Sequence, residues 1–374
     1  MAVMSIRALC ILLGVDRPEA ETFIGLHKRG VHIRVLCAAD SPHFALLQNA
    51  GIPLAPIEFR SRLDRRAIEQ IRSELSAGSY NILHLLHNEP VLNGLIAARG
   101  HPELRIIVYR GIVGNVSFLN PLSWMRYLNP RVDRIICVAE AVREYFLKMR
   151  LLWLRVPPNK PVTIHKGHDV HWYQTTPADL QELDIPAGAF VVGCVANWRP
   201  RKGIEVLIDA FRALPADAPI YLLLVGEMAS KPVDRAIAAS PARERIRRVG
   251  FRRDAPALVA ACDVAVLPSL RREGLPRSII EAMAYAVPPV VTDSGGSPEL
   301  IVHGESGLIV PPADSVALAE AFLELYQDPQ RRRRMGESAR RRIVSDFNIE
   351  TTIAKTARLY QELTCARPSS TNRT

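Results

Sequence analysis

The chain has 374 residues, a formal net charge of +10 and a hydrophobic fraction of 48%. This length exceeds what one hydrophobic core normally supports, so two domains are expected. Only 6% of the residues are aromatic and no zinc-finger or RNA-binding signature occurs, which argues against nucleic acid and leaves a nucleotide diphosphate or an anionic membrane as acidic partner.

The first half of the chain alternates apolar strand patterns with helical ones. Helices are predicted near residues 20–29 and 43–50, and a strand followed by a helix is predicted in RIICVAEAVREYFL. Four further strands are predicted in IRALCILL, VHIRVLC, NILHLLH and RIIVYRG. Alternation of this kind favours an α/β fold built on a doubly wound parallel sheet.

Targeting signals are not evident in the sequence. The apolar stretch at residues 8–15 is too short for a secretory signal and is better interpreted as the first strand, and no run approaches the roughly 18 to 20 apolar residues that span a bilayer. The six cysteines form no CxxC pair or metal spacing, which favours a reducing compartment. We expect a cytoplasmic protein, or one peripheral on the inner face of the cell membrane.

Two segments in this half mix arginine with large apolar residues. They are SFLNPLSWMRYLNPR and FLKMRLLWLRVPP, and their composition is typical of segments that touch an anionic membrane surface. A second interpretation stays open, in which Leu151, Leu152 and Trp153 complete a domain core. If the membrane interpretation holds, the acceptor is expected to be lipid-linked or membrane-anchored.

The domain boundaries follow from composition. The N-terminal domain is predicted at residues 1–172, the polar stretch 171–186 contains the hinge, and the C-terminal domain is predicted at residues 187–348. A final helix at residues 349–365 is expected to pack back on the N-terminal domain.

The C-terminal domain begins with a buried strand, Phe190–Val195, then a basic turn and a helix from about Ile204. The turn carries Arg199 and Lys202 at the carboxyl end of a strand, where open parallel sheets bind their ligands. A strand that ends at Gly226 and a loop from Gly250 follow. Because single basic turns are common on surfaces, a merely solvated turn is the alternative.

The most informative stretch is EGLPRSIIEAMA, followed by the turn SGGSPEL. Pro276 suits the first position of a helix, whose free amides at Arg277 and Ser278 would attract an anion. A carboxylate beside a diphosphate is repelled, so Glu273 and Glu281 fit better as acceptors of hydrogen bonds from a sugar and a ribose. Glu281 is expected to be packed, because Ala282, Met283 and Ala284 follow it.

These motifs in this order resemble family 4 (group 1) glycosyltransferases, most strongly between residues 191 and 310. The resemblance implies a GT-B fold, in which two Rossmann-like doubly wound domains face a central cleft, the N-terminal one binding the acceptor and the C-terminal one the nucleotide sugar. It implies that Glu273 contacts the donor sugar, that Glu281 holds the ribose hydroxyls and that Lys202 contacts the diphosphate. Arg199 is expected to supply the second positive charge, because Asn197 stands where the family often has arginine.

The remaining implied donor residues lie on loops and a helix start, and the loop after Gly250 is implied to hold the base through its backbone. They are Gly274, Leu275, Pro276, Arg277, Ser278, Gly226, Gly250, Phe251 and Arg252. The resemblance implies a retaining reaction, and since no D-x-D triplet occurs, no metal and no cofactor are expected. The donor is expected to be a UDP or GDP sugar.

The N-terminal domain departs from the family pattern. The family often has a glycine-rich loop after the first strand, whereas this chain has Gly14 followed by VDRPEAE, and Arg110 stands where a histidine is common. Arg110 cannot act as a base, but it is suited to stabilising a phosphate leaving group. His84, His87 and Asn88, at the end of a predicted strand, are the candidates on the acceptor side.

The predicted function is therefore transfer of a sugar to a hydroxyl of a saccharide or lipid-linked acceptor, in cell-envelope or exopolysaccharide synthesis. Two alternatives stay open. The departures at Arg110 and the first loop are compatible with a non-catalytic protein that only binds a sugar nucleotide. Another enzyme of the same architecture, such as a sugar-nucleotide epimerase, is the other alternative.

Overall fold

The computed structural model describes residues 5–365, which divide into two compact units. Unit 1 contains the chain up to Gly167 and again from Ile349, and unit 2 contains residues 168–348. Both units have a parallel β-sheet and interleaved helices, which confirms the predicted α/β class.

Unit 1 is built on a seven-stranded parallel sheet. Its strands and the short hairpin β7–β8 are β1 (Arg7–Ile11), β2 (His32–Cys37), β3 (Leu54–Pro56), β4 (Ile82–Leu85), β5 (Arg105–Arg110), β6 (Val132–Cys137), β7 (Arg150–Leu151), β8 (Leu154–Arg155) and β9 (Pro161–Thr163). The order in the sheet is β3-β2-β1-β4-β5-β6-β9, so the chain changes direction across the sheet between β1 and β4. All four residues of β4 are buried, as expected for a central parallel strand.

Six helices connect the strands of unit 1. They are α1 (Arg17–Lys28), α2 (Phe44–Asn49), α3 (Arg65–Ala77), α4 (Asn88–Ala97), α5 (Pro121–Trp124) and α6 (Glu140–Lys148). Helix α1 begins three residues earlier than the sequence prediction, because Asp16 and Glu19 form a reciprocal capping box at its start.

Unit 2 repeats this arrangement with six parallel strands in the order β12-β11-β10-β13-β14-β15. The strands are β10 (Phe190–Val195), β11 (Ile220–Val225), β12 (Ile246–Gly250), β13 (Val264–Leu267), β14 (Pro289–Thr292) and β15 (Leu308–Val310). The helices are α7 (Ile204–Ala210), α8 (Lys231–Ala239), α9 (Ala255–Ala260), α10 (Arg277–Ala284), α11 (Ser315–Gln327) and α12 (Pro329–Ser345). The bounds of β10 and the start of α7 agree with the sequence prediction.

The last described helix, α13 (Ile349–Cys365), belongs to unit 1 although it follows unit 2 in the chain. It packs on α1, where Gly25 leaves room for the side chain of Ile353, and the side chain of Tyr360 in α13 is fully buried. Among residues 5–365, none of the helices combines the length and the hydropathy that a membrane span requires.

Candidate functional site

The strand order of unit 2 reverses between the neighbouring strands β10 and β13. Loops leaving the carboxyl ends of two such strands run to opposite sides, which opens the crevice where parallel sheets bind their ligands. The loop after β10 carries Lys202, and the loop after β13 carries Glu273. Two candidates from separate sequence motifs therefore meet at one point of the sheet.

Two glycines with left-handed backbone allow the loops to touch. A Cβ atom on Gly203, where φ is +67°, would lie 2.1 Å from the carbonyl oxygen of Pro268 in the β13 loop. A Cβ atom on Gly295, where φ is +60°, would lie 2.1 Å from the carbonyl oxygen of Glu273. Any other residue would strain the backbone and separate the loops. The glycine-rich turn after β14 thus packs directly on the Glu273 loop.

The carboxylate of Glu273 holds two cations. Its Oε1 atom lies 2.9 Å from Lys202 Nζ and 3.1 Å from Arg201 Nη1, and it accepts a hydrogen bond of 2.8 Å from the Ser269 hydroxyl. Glu273 is only 5% exposed. Because two cations share one buried carboxylate, the cluster carries a net positive charge. All of these contacts go to Oε1, which leaves Oε2 available to a ligand hydroxyl.

The cation beside Lys202 is Arg201 rather than the expected Arg199. Arg199 is exposed, and the described residues offer it no ion pair. The 3₁₀ turn Pro200–Lys202 places Arg201 and Lys202 on the Glu273 side, and the Arg201 carbonyl accepts a hydrogen bond from the Leu270 amide. The basic turn was visible in the sequence, but the direction of each side chain depends on this turn.

Helix α10 presents the second glutamate of the motif. Pro276 is the residue before the helix, not its first residue, and α10 begins at Arg277 without a side-chain cap. Glu281 is buried, with 8% exposure, as its apolar neighbours predicted. Its Oε1 atom accepts a hydrogen bond of 2.6 Å from Arg277 Nε, and Arg277 itself is exposed. Glu281 thus lies one to two turns from the uncapped start of α10.

The other candidates lie on the surrounding loops. Gly274, Leu275 and Ser278 continue from Glu273 into α10. The Gly226 amide donates a hydrogen bond of 2.7 Å to the Gly250 carbonyl, which joins the ends of β11 and β12. Beyond Gly250, Phe251 is 64% exposed and Arg252 pairs with Asp254 at 2.6 Å. The exposed ring and the two strand ends form the outer part of the candidate site.

Two serines that the sequence analysis did not select flank the glycine pair. Ser294 is 4% exposed and Ser297 is fully buried, and the hydroxyl of each is without a hydrogen-bond partner among the described residues. Buried hydroxyls are normally paired, so both are candidates for contact with a bound ligand or water. The sequence signal was their position on either side of Gly295 and Gly296.

In unit 1, Arg110 is buried at the end of β5 and fixes the loop that follows it. Its guanidinium donates to the carbonyls of Ile112 and Gly114, and it lies 4.9 Å from the centre of the Tyr127 ring. The hydroxyl of Tyr127 lies 3.4 Å from Arg110 Nη1. These contacts use most of the N–H donors of the Arg110 guanidinium. A part for Arg110 in chemistry stays a prediction.

His84 lies within β4, 4% exposed, instead of at an open strand end. Its Nδ1 atom lies 2.8 Å from the Tyr360 hydroxyl, while Nε2 has no partner among the described residues. Burial lowers the pKa of His84 from 6.5 to about 3, so the ring is neutral at ordinary pH. The contact with Tyr360 connects β4 to α13.

This depressed pKa predicts acid sensitivity. Below pH 6.5 the unfolded chain binds a proton at His84 that the folded chain does not, so stability is lost as the pH falls toward 3. The loss attributable to this group approaches about 1.4 kcal/mol per pH unit. Urea unfolding at pH 7 and pH 5 should therefore show a smaller pH effect in His84→Asn than in the exposed control His32→Asn. Equal pH effects in the two variants would contradict this assignment.

His87 has the most unusual backbone of the acceptor-side candidates, with φ of 67° and ψ of 166°. This region is essentially reserved for glycine and costs about 1 to 3 kcal/mol. His87 Nδ1 accepts a hydrogen bond of 3.3 Å from the Leu13 amide, which joins the loops after β1 and β4 at the point where the strand order reverses. Asn88, the next residue, is exposed and accepts a hydrogen bond of 3.1 Å from Tyr127.

Comparison with known families gives two adjacent matches. Residues 20–172 match the model described as Glycosyltransferase Family 4, and residues 175–342 match Glycosyl transferases group 1. The candidate donor residues all lie within the second match. The acceptor-side candidates and Arg110 lie within the first.

Curated relatives include proteins named as sugar transferases. An N-acetyl-alpha-D-glucosaminyl L-malate synthase of Bacillus anthracis is 26% identical over 56% of this chain and 55% of its own length. The lipopolysaccharide core biosynthesis mannosyltransferase LpsB of Rhizobium meliloti is 30% identical over 64% of this chain and 69% of its own length. A UDP-Gal:alpha-D-GlcNAc-diphosphoundecaprenol alpha-1,3-galactosyltransferase of Escherichia coli is 23% identical over 96% of this chain and 97% of its own length. The alignment with the Bacillus anthracis protein thus spans about half the length of that protein.

Among solved structures, Anabaena Alr3699/HepE in complex with UDP superimposes with a TM-score of 0.74. The alignment covers 96% of this chain and all of that one, at 23% identity. The similarity shows that the two chains share the GT-B fold, as the sequence motifs implied.

Proposed function

The chain belongs to the group 1, family 4 glycosyltransferases, and on that premise we propose that it moves a sugar from a nucleotide diphosphate to a hydroxyl group. The proposed acceptor is a saccharide or a lipid-linked saccharide of the cell envelope or an exopolysaccharide. Unit 2 is the proposed donor-binding domain, and unit 1 is the proposed acceptor-binding domain.

One observation carries this proposal, namely the cluster of Glu273, Lys202 and Arg201 at the switch point of unit 2. Two cations and one buried carboxylate give an excess positive charge suited to a diphosphate, within reach of the uncapped start of α10. The unengaged Oε2 of Glu273 suits a sugar hydroxyl. A purely structural ion pair would not require a second cation on the same oxygen.

The proposed chemistry is electrostatic. As the bond between the sugar and the diphosphate breaks, negative charge grows on phosphate while the sugar becomes oxocarbenium-like. Lys202 and Arg201 are aimed at the growing negative charge and are fixed before the reaction by Glu273, so little reorganisation is needed. Arg199, which is exposed beside them, is the proposed contact for outer phosphate oxygens.

The nucleotide is proposed to follow the loops outward from this cluster. Glu281 holds the ribose hydroxyls with its carboxylate, whose Oε1 atom also accepts the hydrogen bond from Arg277. The backbone at Gly226 and Gly250 borders the base, and the exposed ring of Phe251 closes that side. Relatives that bind UDP or are named for UDP-galactose support a UDP donor, with GDP as the competing choice.

The acceptor is proposed to bind unit 1 near His87 and Asn88. A strained His87 backbone supports a functional position, and His87 Nε2 is the nitrogen left to donate a hydrogen bond. Curated relatives named for lipopolysaccharide core and for a diphosphoundecaprenol substrate support a cell-envelope acceptor. We propose that the reaction is retaining, is metal-independent and takes place on the cytoplasmic side.

Turnover separates this proposal from the two alternatives. Purified protein is incubated with UDP and GDP sugars and an extract of lipid-linked saccharides, and release of the nucleoside diphosphate is followed. The proposal expects release that depends on the acceptor and persists in excess EDTA. Tight donor binding without release would favour the non-catalytic alternative, whereas conversion of the sugar on its nucleotide would favour the epimerase alternative.

The role of Glu281 gives a direct binding prediction. Glu281→Ala should weaken nucleotide binding by about 1.5 to 3 kcal/mol, because a charge-assisted hydrogen bond to the ribose is lost. Calorimetric titration measures the affinity, and Glu244→Ala is the matched control, since the Glu244 side chain is 86% exposed. Unchanged affinity in a folded Glu281→Ala protein would remove it from the ribose site.

A further inference from the structure

The hairpin of unit 1 places two large apolar residues at its tip. Leu152 and Trp153 form the turn between β7 and β8, and they are 78% and 81% exposed. Two-residue hairpin turns normally contain Asn-Gly or similar residues, because the first position requires positive φ. Leu152 adopts a φ of 53° without being glycine or asparagine. The tip of the hairpin therefore lacks the residues that favour such a turn, and its two apolar side chains are exposed to solvent.

The two strands of the same hairpin place two positive charges opposite each other. Arg150 and Arg155 are directly opposite each other in the antiparallel register, and both are exposed. Like charges in this position are destabilising, and the described residues provide no acidic partner for either guanidinium. An anion placed against the hairpin would relieve the repulsion.

A groove of about 420 Å³ adjoins the hairpin. Its apolar wall includes Trp124 and Leu154, and its cations are Arg134, Arg155 and Lys160. Lys160 is 8% exposed and donates a hydrogen bond of 2.7 Å to the Asn129 carbonyl. The groove also contains one carboxylate, Asp133, which pairs with Arg105 at 3.3 Å and attracts the Lys160 ammonium electrostatically. Burial lowers the pKa of Lys160 to about 8. An anion in the groove would favour its charged form.

This surface lies away from the proposed reaction chemistry. The groove contacts the start of β6 and the residue before β9, which are amino ends of parallel strands. Arg110 and His87 follow the carboxyl ends, at the opposite edge of the same sheet. Leu119 and Met125, 78% and 40% exposed, extend the apolar character along the segment that lines the groove. The interpretation that Leu152 and Trp153 complete a core is therefore wrong.

We propose that hairpin 150–155 and this groove form a docking surface for an anionic phospholipid bilayer. Leu152 and Trp153 enter the boundary between headgroups and acyl chains, as amphipathic anchors do, while Arg134, Arg150 and Arg155 contact lipid phosphates. The proposal does not depend on the proposed function. Binding itself requires no turnover.

Vesicle sedimentation tests the docking surface with the full chain. Wild-type protein should bind vesicles containing phosphatidylglycerol, bind pure phosphatidylcholine vesicles weakly, and be released by salt, because the phosphate contacts are screened. The double variant Leu152→Ser, Trp153→Ser should lose at least about tenfold in partitioning, since two apolar anchors are removed. Val316→Ser, which removes a 59% exposed side chain from α11 of unit 2, is the matched control and should bind like wild type.

Circular dichroism and thermal unfolding show that the double variant is folded, independently of lipid. Equal vesicle binding by the double variant and wild type would overturn the proposal, as would equal binding of wild type to neutral and anionic vesicles. Loss of vesicle binding with wild-type thermal unfolding would support it. Failure of sugar transfer with vesicle binding intact would count against the proposed function alone.

Discussion

Replacing Glu273 by glutamine is expected to lower kcat/KM for sugar transfer by about 100-fold or more. Glutamine keeps the shape of the side chain and a hydrogen bond to Ser269, but it removes the charge that holds Lys202 and Arg201. Loss of one preorganised electrostatic contact typically reduces turnover by about 100- to 1,000-fold. Steady-state kinetics with a fixed acceptor and varied donor sugar measures the change.

The matched control for this variant is Glu305→Gln, because Glu305 is exposed on the loop before β15. It should retain wild-type kinetics. Circular dichroism and thermal unfolding establish that Glu273→Gln is folded. If the folded variant had wild-type kcat/KM, the carboxylate would be only a structural counter-ion of the basic turn, and the proposed reaction centre would be wrong.

Lys202→Met is expected to lower kcat by about 100- to 1,000-fold, with a smaller effect on stability. Methionine retains the apolar part of the side chain, while the ammonium group 2.9 Å from Glu273 is lost. Because that charge is most useful when the diphosphate departs, the loss should affect kcat more than KM for the donor. Single-turnover kinetics measures the chemical step directly.

Variants of the individual basic residues show which of them contribute to turnover. Lys231→Met, at the exposed start of α8, is the control and should behave like wild type. Arg201→Met should impair turnover more than Arg199→Met, because only Arg201 contacts Glu273. A larger loss of turnover in Arg199→Met than in Arg201→Met would indicate that Arg199 supplies the second positive charge, as the sequence analysis expected. Wild-type kcat in Lys202→Met would remove Lys202 from the reaction.

Much of unit 2 was predictable because its signals are local. The bounds of β10 and the start of α7 followed from an apolar run, a polar turn and a helical pattern. The burial of Glu281 followed from the alanines and methionine beside it. The sequence also placed Lys202 at the carboxyl end of a parallel strand, where such sheets bind ligands, but the contact between Lys202 and Glu273 comes from the structure.

What the sequence could not predict depends on single turns and distant contacts. Arg199 and Arg201 are both arginines of the same basic turn, so the sequence does not distinguish them. The direction of the 3₁₀ turn determines which of the two faces Glu273. His84 is buried in a central strand and contacts Tyr360, which is 276 residues away in the chain. Leu152 and Trp153 form a two-residue hairpin turn without the Asn or Gly that such turns normally contain. A sequence search for these turn residues therefore does not find this turn.

Calorimetric titration of the wild-type protein with UDP, GDP and their common sugar conjugates tests the central claim most directly. That claim is that unit 2 holds a nucleoside diphosphate at Lys202, Arg201 and Glu273. It predicts saturable binding of one nucleotide per chain, with a clear preference between UDP and GDP and retained affinity in excess EDTA. No binding to any of these ligands by folded protein would contradict the donor site and the function built on it.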